Sequence, residues 1–204
     1  MKFLPTTKEE MKNLGWDSID VLLISGDTYL DTSYNGSALV GKWLVEHGFK
    51  VGIIAQPEVD VPDDITRLGE PNLFFAISGG CVDSMVANYT ATKKRRQQDD
   101  FTPGGENNKR PDRAVLVYSN MVRRFFKGTT KKIVISGIES SLRRITHYDY
   151  WTNKLRKPIL FDAKADILSY GMGEMSMLQL ATALKNGEDW QNIRGLCYLS
   201  KENK

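Results

Sequence analysis

Groups able to do chemistry collect directly behind short apolar runs. The run 132–135 gives way to Ser136, Gly137, Ile138, Glu139 and Ser140, and then to Arg143, Arg144, His147, Tyr148 and Asp149. Three other runs end alike, in Ser25-Gly26-Asp27, in Ser78-Gly79-Gly80 followed by Asp83, and in Gly171-Met172-Gly173-Glu174. Glycine permits tight turns and close approach of the backbone to a ligand. Hydroxyls and carboxylates there cap the next helix or hold a ligand. Both roles stay open for each turn, and all these residues other than Ile138 and Met172 are ligand or interface candidates. Residues 138–151 read in two ways. They form a surface helix with a Glu139–Arg143 pair at i,i+4 and then an aromatic lid, or an interface where arginines and aromatics meet a ligand or a second domain. On the second reading Arg143 and Arg144 serve that interface more than the fold.

A second group lies in residues 90–113. Lys93, Lys94, Arg95 and Arg96 form a basic quartet, with Lys109, Arg110 and Arg113 nearby and Tyr89 and Phe101 flanking. Such a run is either a solvated loop or a contact for an anion or RNA. With few apolar residues and Gly104-Gly105, the segment is expected to be the least held of the chain, with trypsin cutting first at 93–96. No GxGxxG follows the first run, and no GxxxxGK[ST] or GxSxG occurs, which removes the usual dinucleotide, P-loop and hydrolase signatures. Neither a CxxC nor a His/Cys cluster suggests a metal.

The elements that must position these residues alternate. Apolar runs at 19–24, 50–54, 73–77, 132–135 and 165–168 are mostly continuous rather than alternating, the pattern of strands buried on both faces of a parallel sheet. Helical patterns fall at 37–47, 82–89, 114–126 and 174–185, with a short turn at 63–68. Residues 193–199 read as one further strand. Strand and helix in alternation define an α/β layered fold, in which ligands sit beyond the carboxyl ends of the strands, where strand order reverses.

The 204 residues suit one good core. Hydrophobic residues make up 41% and charged residues 26%, with a net charge of +3, too small by itself to imply nucleic acid. No run reaches membrane-spanning length. The start lacks a signal peptide's apolar core, so the expected compartment is the cytoplasm, with Cys81 and Cys197 reduced.

Several segments together resemble a known family. "FLPTTKEEM…LGWDSIDVLLISGDTYLD", "GFKVGIIAQP", "NLFFAISGGCVDSMVANYTATKKRR", "ISGIESSLRRITHYDYW", "KADILSYGMGE" and "IRGLCY" resemble the N-terminal region of the YgiQ-type radical SAM proteins. The resemblance implies a domain at 1–192, with 193–204 starting the connection to a radical SAM barrel absent from this chain. It implies a [4Fe-4S] cluster and S-adenosylmethionine for the full-length protein. The CxxxCxxC ligand motif is absent here, so the chain alone is expected to be inactive and to bind no cluster. A broader likeness to cobalamin-dependent radical SAM proteins implies a flavodoxin-like domain of about five strands in the order 2-1-3-4-5. The DxHxxG motif that ligates cobalt is missing, since neither His47 nor His147 follows an aspartate by two residues. Cobalamin held that way is therefore unsupported, and a histidine-off mode stays open. The expected role is to cover the barrel mouth and help form the substrate or cofactor site. The alternatives are a free-standing module holding a phosphate-bearing cofactor, flavin or cobalamin, over Ser25-Gly26-Asp27 and Ser78-Gly79-Gly80, and an RNA-binding domain using the basic loop.

Overall fold

Runs of consecutive apolar residues need cover on both faces, and the chain supplies it. The computed structural model describes residues 3–31 and 35–200. Residues 201–204 of the expected connection lie outside the described residues. The first half runs α1 (Lys8–Asn13), β1 (Val21–Ser25), α2 (Gly36–Glu46), β2 (Val51–Ala55), α3 (Pro62–Thr66), β3 (Phe74–Ser78) and α4 (Ser84–Asn88). The second runs α5 (Ala114–Phe125), β4 (Lys132–Ser136), α6 (Gly137–Leu142), β5 (His147–Asp149), β6 (Lys154–Arg156), α7 (Ile159–Ala163), β7 (Ile167–Ser169), α8 (Gly173–Asn186) and β8 (Leu196–Tyr198).

The main sheet is six-stranded in the order β2-β1-β3-β4-β7-β8. Its first five strands are parallel and follow the expected flavodoxin-like order. The strand expected at 193–199 is β8, which pairs antiparallel to β7 at the edge. Alternate residues of each strand enter separate cores. Leu22, Ile24, Phe75, Ile77, Ile133 and Ile135 pack with Met11, Ile65, Tyr118, Val122 and Leu160, from α1, α3, α5 and α7. Val21, Leu23, Phe74, Ala76, Val134 and Ile167 pack with Leu44, Met177, Leu180 and Ala181, from α2 and α8.

Five elements lie outside the helices and strands expected from periodicity. Helix α1 starts on a capping box, in which the Thr7 side chain accepts from the Glu10 N–H and the Glu10 carboxylate accepts from the Thr7 N–H, a T-x-x-E signature. The two-stranded hairpin β5–β6 and the short α7 have too few residues to show a period. Helix α6 is the surface-helix reading of 138–151 realised in part, because its Glu139 and Ser140 point inward.

The open edge of β2 is covered by the N-terminal arm. The Pro5 carbonyl accepts from the Ile53 N–H at 3.0 Å, and Leu4 is buried against Leu23 and Gly41, which removes a free pairing edge. Leu4→Ala should lower stability by about 2–5 kcal/mol, the usual range for emptying a buried leucine site. Urea unfolding of the two proteins measures the difference, and a loss below about 1 kcal/mol would mean that the arm is not part of the core.

Candidate functional site

The turns after β1 and β3 are held together by charge. Arg110 is 1% exposed. Its Nη1 donates to Asp27 Oδ1 at 2.6 Å and to the Gly79 carbonyl at 2.9 Å, and its Nη2 donates to the Asp99 carboxylate at 3.2 Å. Asp27 also accepts from the Cys81 N–H at 2.6 Å, and Asp99 from the Thr102 hydroxyl at 2.8 Å. Gln56 bonds Thr102 and the Gly26 carbonyl. A Cβ on Gly80 would strike the Asp27 carboxylate and Arg110, and one on Gly26 would strike the Gly79 carbonyl. The turns Ser25-Gly26-Asp27 and Ser78-Gly79-Gly80, the alternative site for a phosphate-bearing cofactor, are thus tied to each other through Arg110. The protein's own arginine occupies one side of the crevice where strand order reverses, and Asp27, Ser78 and Gly80 border open space on the other.

Residues 90–113 are held at several points, while Lys93, Lys94, Arg95 and Arg96 stay exposed. Asp99, Thr102, Asn107 and Arg110 are buried. Bridges Tyr89–Arg95 and Gln98–Glu106 close the segment on itself, and the Asn88 side chain ties it to Arg110 and Asp112. The buried polar residues of the segment are held by polar partners rather than by apolar burial. Within the basic quartet, Arg95 pairs with Asp112 at 3.4 Å and Arg96 donates to the Val86 and Tyr89 carbonyls. Lys93 lies 4.7 Å from the centre of the Tyr150 ring, and Lys94 is exposed.

Glu139 organises the next layer. Its carboxylate, 2% exposed, accepts from the Ser84 N–H at 3.0 Å and the Val115 N–H at 3.3 Å, at the starts of α4 and α5. Burial, and then the neighbouring Asp83 charge, push its pKa up. Arg143 pairs not with the Glu139 carboxylate but with Asp83, which caps α4, and it also donates to the Glu139 carbonyl. Arg143 is therefore a framework residue, contrary to the expectation that it serves mainly an interface. Arg144 stays exposed, over the Tyr170 ring at 5.3 Å. Asp149 is buried between Arg113 at 2.8 Å and Thr152. Burial raises its carboxyl pKa, but hydrogen bonds from Thr152 and Arg113 and the Arg113 charge outweigh this and bring it down to about 2. Tyr148 is exposed, and the His147 ring turns Nδ1 to the Ile145 carbonyl. Ser140 is fully buried.

The open space lies beside this network. A cavity of about 300 Å³ sits at the carboxyl ends of β1, β3, β4 and β7, under α2 and α8. Ala76, Ser78, Ser136 and Ser169 form its floor, and Leu39, Val40 and Met177 its walls. It gathers the candidates Asp27, Ser78, Gly80, Ser136, Gly137, Gly171, Gly173 and Glu174, and leaves out Glu139, Arg143, Arg144, His147, Tyr148 and Asp149. The sequence reading missed Ala76, Leu39, Val40, Ser169 and Met177. One signal was available, since β1, β3, β4 and β7 each end in serine, and Ser25, Ser78 and Ser136 stand in register.

The residues present do not fit an iron-sulfur cluster. Cys81 and Cys197 are not joined in a disulfide and stand apart, and such clusters need three or four thiolates. Burial, and then a hydrogen bond with Asp27, push the Cys81 thiol up to about 11. Among the described residues no group of three or more His, Cys, Asp and Glu could hold a metal. Among the described residues no histidine lines the cavity, so cobalt ligation by histidine does not fit it either. No helix of the described residues is long and apolar enough to cross a membrane.

A doubly wound sheet with its open space at the carboxyl ends of the strands defines a flavodoxin-like domain. More narrowly, the chain belongs to the radical SAM N-terminal family, whose profile matches residues 3–204. It is 96% identical over 204 residues to a UPF0313 protein of Fusobacterium nucleatum, covering 100% of this chain and 36% of that protein. It is 54% identical over 203 residues to a UPF0313 protein of Thermotoga petrophila, covering 98% of this chain and 35% of that one. The chain thus spans about a third of the length of these curated relatives. Among solved structures it is similar to the radical S-adenosylmethionine methyltransferase TsrM of Kitasatospora setae, solved with cobalamin and a [4Fe-4S] cluster. The TM-score is 0.57 and the identity 16%, covering 90% of this chain and 28% of that one, a likeness of fold.

Two substitutions test the charge network. Arg110→Met should cost about 3–5 kcal/mol, because it strands two buried carboxylates; denaturant unfolding reads this, and a loss under about 1 kcal/mol would rule out Arg110 as the tie. Asp149 titrates in the folded state near 2, below the ordinary 3.8. Its stabilisation, about 2 kcal/mol at most, is full above the unfolded value and is lost as pH falls toward the folded one. Asp149→Asn should therefore lower the melting temperature at neutral pH and flatten its decline in the acid range. An unchanged acid profile would mean that Asp149 is not the titrating group.

Proposed function

We propose that this chain is the N-terminal domain of a radical SAM enzyme. Its carboxyl edge covers the mouth of a downstream barrel, which carries the [4Fe-4S] cluster and S-adenosylmethionine, and its cavity forms part of the substrate or cofactor site. Residues 1–192 are the domain, and 193–204 begin the connection. The observation that carries the reading is an exposed apolar rim at that edge. Ile138 and Met172 stand at the cavity. Met172 is 81% exposed and Met175 56%, with Leu142 at 60% and Ile145 at 64%. Arg144 on Tyr170 links the turn after α6 to the turn after β7. An apolar rim around a cleft suits burial against a second domain. The length of the relatives supports such a domain, and two cysteines outside any disulfide suit a cytoplasmic protein. A second reading adds a corrinoid held without a protein histidine. The fold neighbour solved with cobalamin favours it, and its mark would be a bound-cobalamin spectrum unchanged by His47→Ala and His147→Ala.

The test uses the full-length protein beside this chain. After anaerobic reconstitution this chain should show no iron-sulfur absorbance, and the full-length protein should. Leu142→Asp with Ile145→Asp should leave the melting temperature of this chain nearly unchanged, since exposed positions shift stability by about 0.5 kcal/mol or less. In the full-length protein the same pair should slow S-adenosylmethionine cleavage by about tenfold or more, as loss of buried interface anchors does. Normal cleavage by that variant would overturn the covering role.

A further inference from the structure

Two tight hairpins meet among the segments that follow β3 and β4, and none of their residues lines the cavity. The first is closed by the Tyr89–Arg95 bridge. Its turn is pinned by the Thr90 N–H on the Lys94 carbonyl at 2.8 Å and the Lys93 N–H on the Thr90 carbonyl at 2.9 Å, with Lys93 at φ 61°. The second is β5–β6, whose tip is residues 150–153. Groups far apart in the sequence lock the two together. The Tyr150 hydroxyl donates to the Ala91 carbonyl at 2.7 Å, and the Lys93 ammonium to the Trp151 carbonyl at 3.3 Å. The Tyr89 and Trp151 ring centres lie 5.1 Å apart, and Tyr150 stands nearly perpendicular to Trp151 at 5.5 Å.

The hairpins concentrate positive charge. Residues 89–96 and 148–157 hold seven lysines and arginines and one aspartate, a net +6, in a chain of net +3, so the rest of the chain carries a net −3. Part of this charge is paired, Arg95 with Asp112 and Arg156 with Asp149 and Asp162. Lys93, Lys94, Arg96 and Lys154 make no ion pair among the described residues, and all four are exposed. Cations gathered this closely repel one another until an anion meets them. The rings among them stay open to solvent, with Tyr150 49% exposed and Trp151 half-buried. Cations beside open rings are the two parts that hold a single-stranded polynucleotide, the cations on its phosphates and the rings on its unpaired bases. A folded protein partner fits less well, because lysine is depleted at protein interfaces. A duplex fits less well too, because its bases are already stacked on one another.

We propose that the paired tips of 89–96 and β5–β6 bind a single-stranded polynucleotide, with phosphates on Lys93, Lys94 and Arg96 and bases stacked on the Tyr150–Trp151 pair. RNA and DNA single strands share this chemistry. The surface is preformed. Asp149 on Arg113 holds the second hairpin, and the Asn107 side chain on the Asn88 and Arg96 carbonyls holds the first, so binding has little ordering to supply. The inference goes beyond the covering role and stands independently of it, because the two surfaces share no residue.

The test measures binding of labelled single strands of about 12 nucleotides, one of RNA and one of DNA, to the full-length protein by fluorescence anisotropy over a range of salt. At least one should bind, with an affinity that falls as salt rises, and the tighter one names the source. The matching duplex and polyglutamate should bind about tenfold more weakly or not at all. Lys93→Gln with Lys94→Gln should weaken the single strand by about tenfold at low salt and reduce the log–log salt slope by about 1.4, the share of two phosphates. An unlabelled strand should quench tryptophan fluorescence, and Trp151→Phe, which keeps a ring against Tyr89, should remove most of that quench with far-UV circular dichroism unchanged. Should Trp151→Phe fail to fold, the lysine pair decides. The proposal is overturned if neither single strand binds, if the duplex or polyglutamate binds as tightly, or if the folded variants bind and quench like the parent. S-adenosylmethionine cleavage by the Leu142/Ile145 variant reads the covering role separately, so either reading can fail alone.

Discussion

Arg110 ties three distant stretches of chain, and the carboxyl edge of the sheet depends on it. Its guanidinium holds Asp27 after β1, the Gly79 carbonyl after β3 and Asp99 in the segment between α4 and α5. Taking these charges out of water costs several kcal/mol each. Mutual pairing and the N–H groups of Cys81 and Phe101 offset that cost. The net effect on stability is modest by this reasoning, but the effect on geometry is large. A planar donor fork with fixed partners allows one arrangement of the turns, and Gly80 at φ 112° is required because a side chain there would occupy the guanidinium's place.

Glu139 does the same work one strand along. A single carboxylate closes the starts of α4 and α5, which have orphan N–H groups of their own. Asp83 and Arg143 stand beside it. These contacts turn inward much of the polar chemistry that follows β4. What remains outside is Arg144, Tyr148 and the apolar residues of the rim. The edge therefore separates into a polar half, mostly paired within itself, and an apolar half with a cavity.

The fold was largely legible. Parallel strands covered on both faces read as continuous apolar runs, so β1, β2, β3, β4 and β7 stand within a few residues of their expected places. The strand order came from family likeness rather than periodicity. The capping box of α1 was on view in Thr7 and Glu10. Three-residue strands such as β5 and β6 leave no period to read. The cavity was half legible. Ser78, Ser136, Gly171 and Gly173 were visible behind their strands, but Ala76 and Met177 looked like any core residue.

The sequence by itself determined which segments become strands and helices, and that glycine, serine and carboxylates cluster at the turns, because these follow from neighbours a few residues apart. Only the tertiary structure decided which polar groups are spent. Arg110 looked like part of a solvated basic loop, yet its partner Asp27 lies 83 residues away. Whether a charge faces water or a buried counter-charge depends on groups that folding brings from far along the chain, and no local pattern records them. The same holds for the cavity, whose floor exists only when strands distant in sequence align their terminal serines.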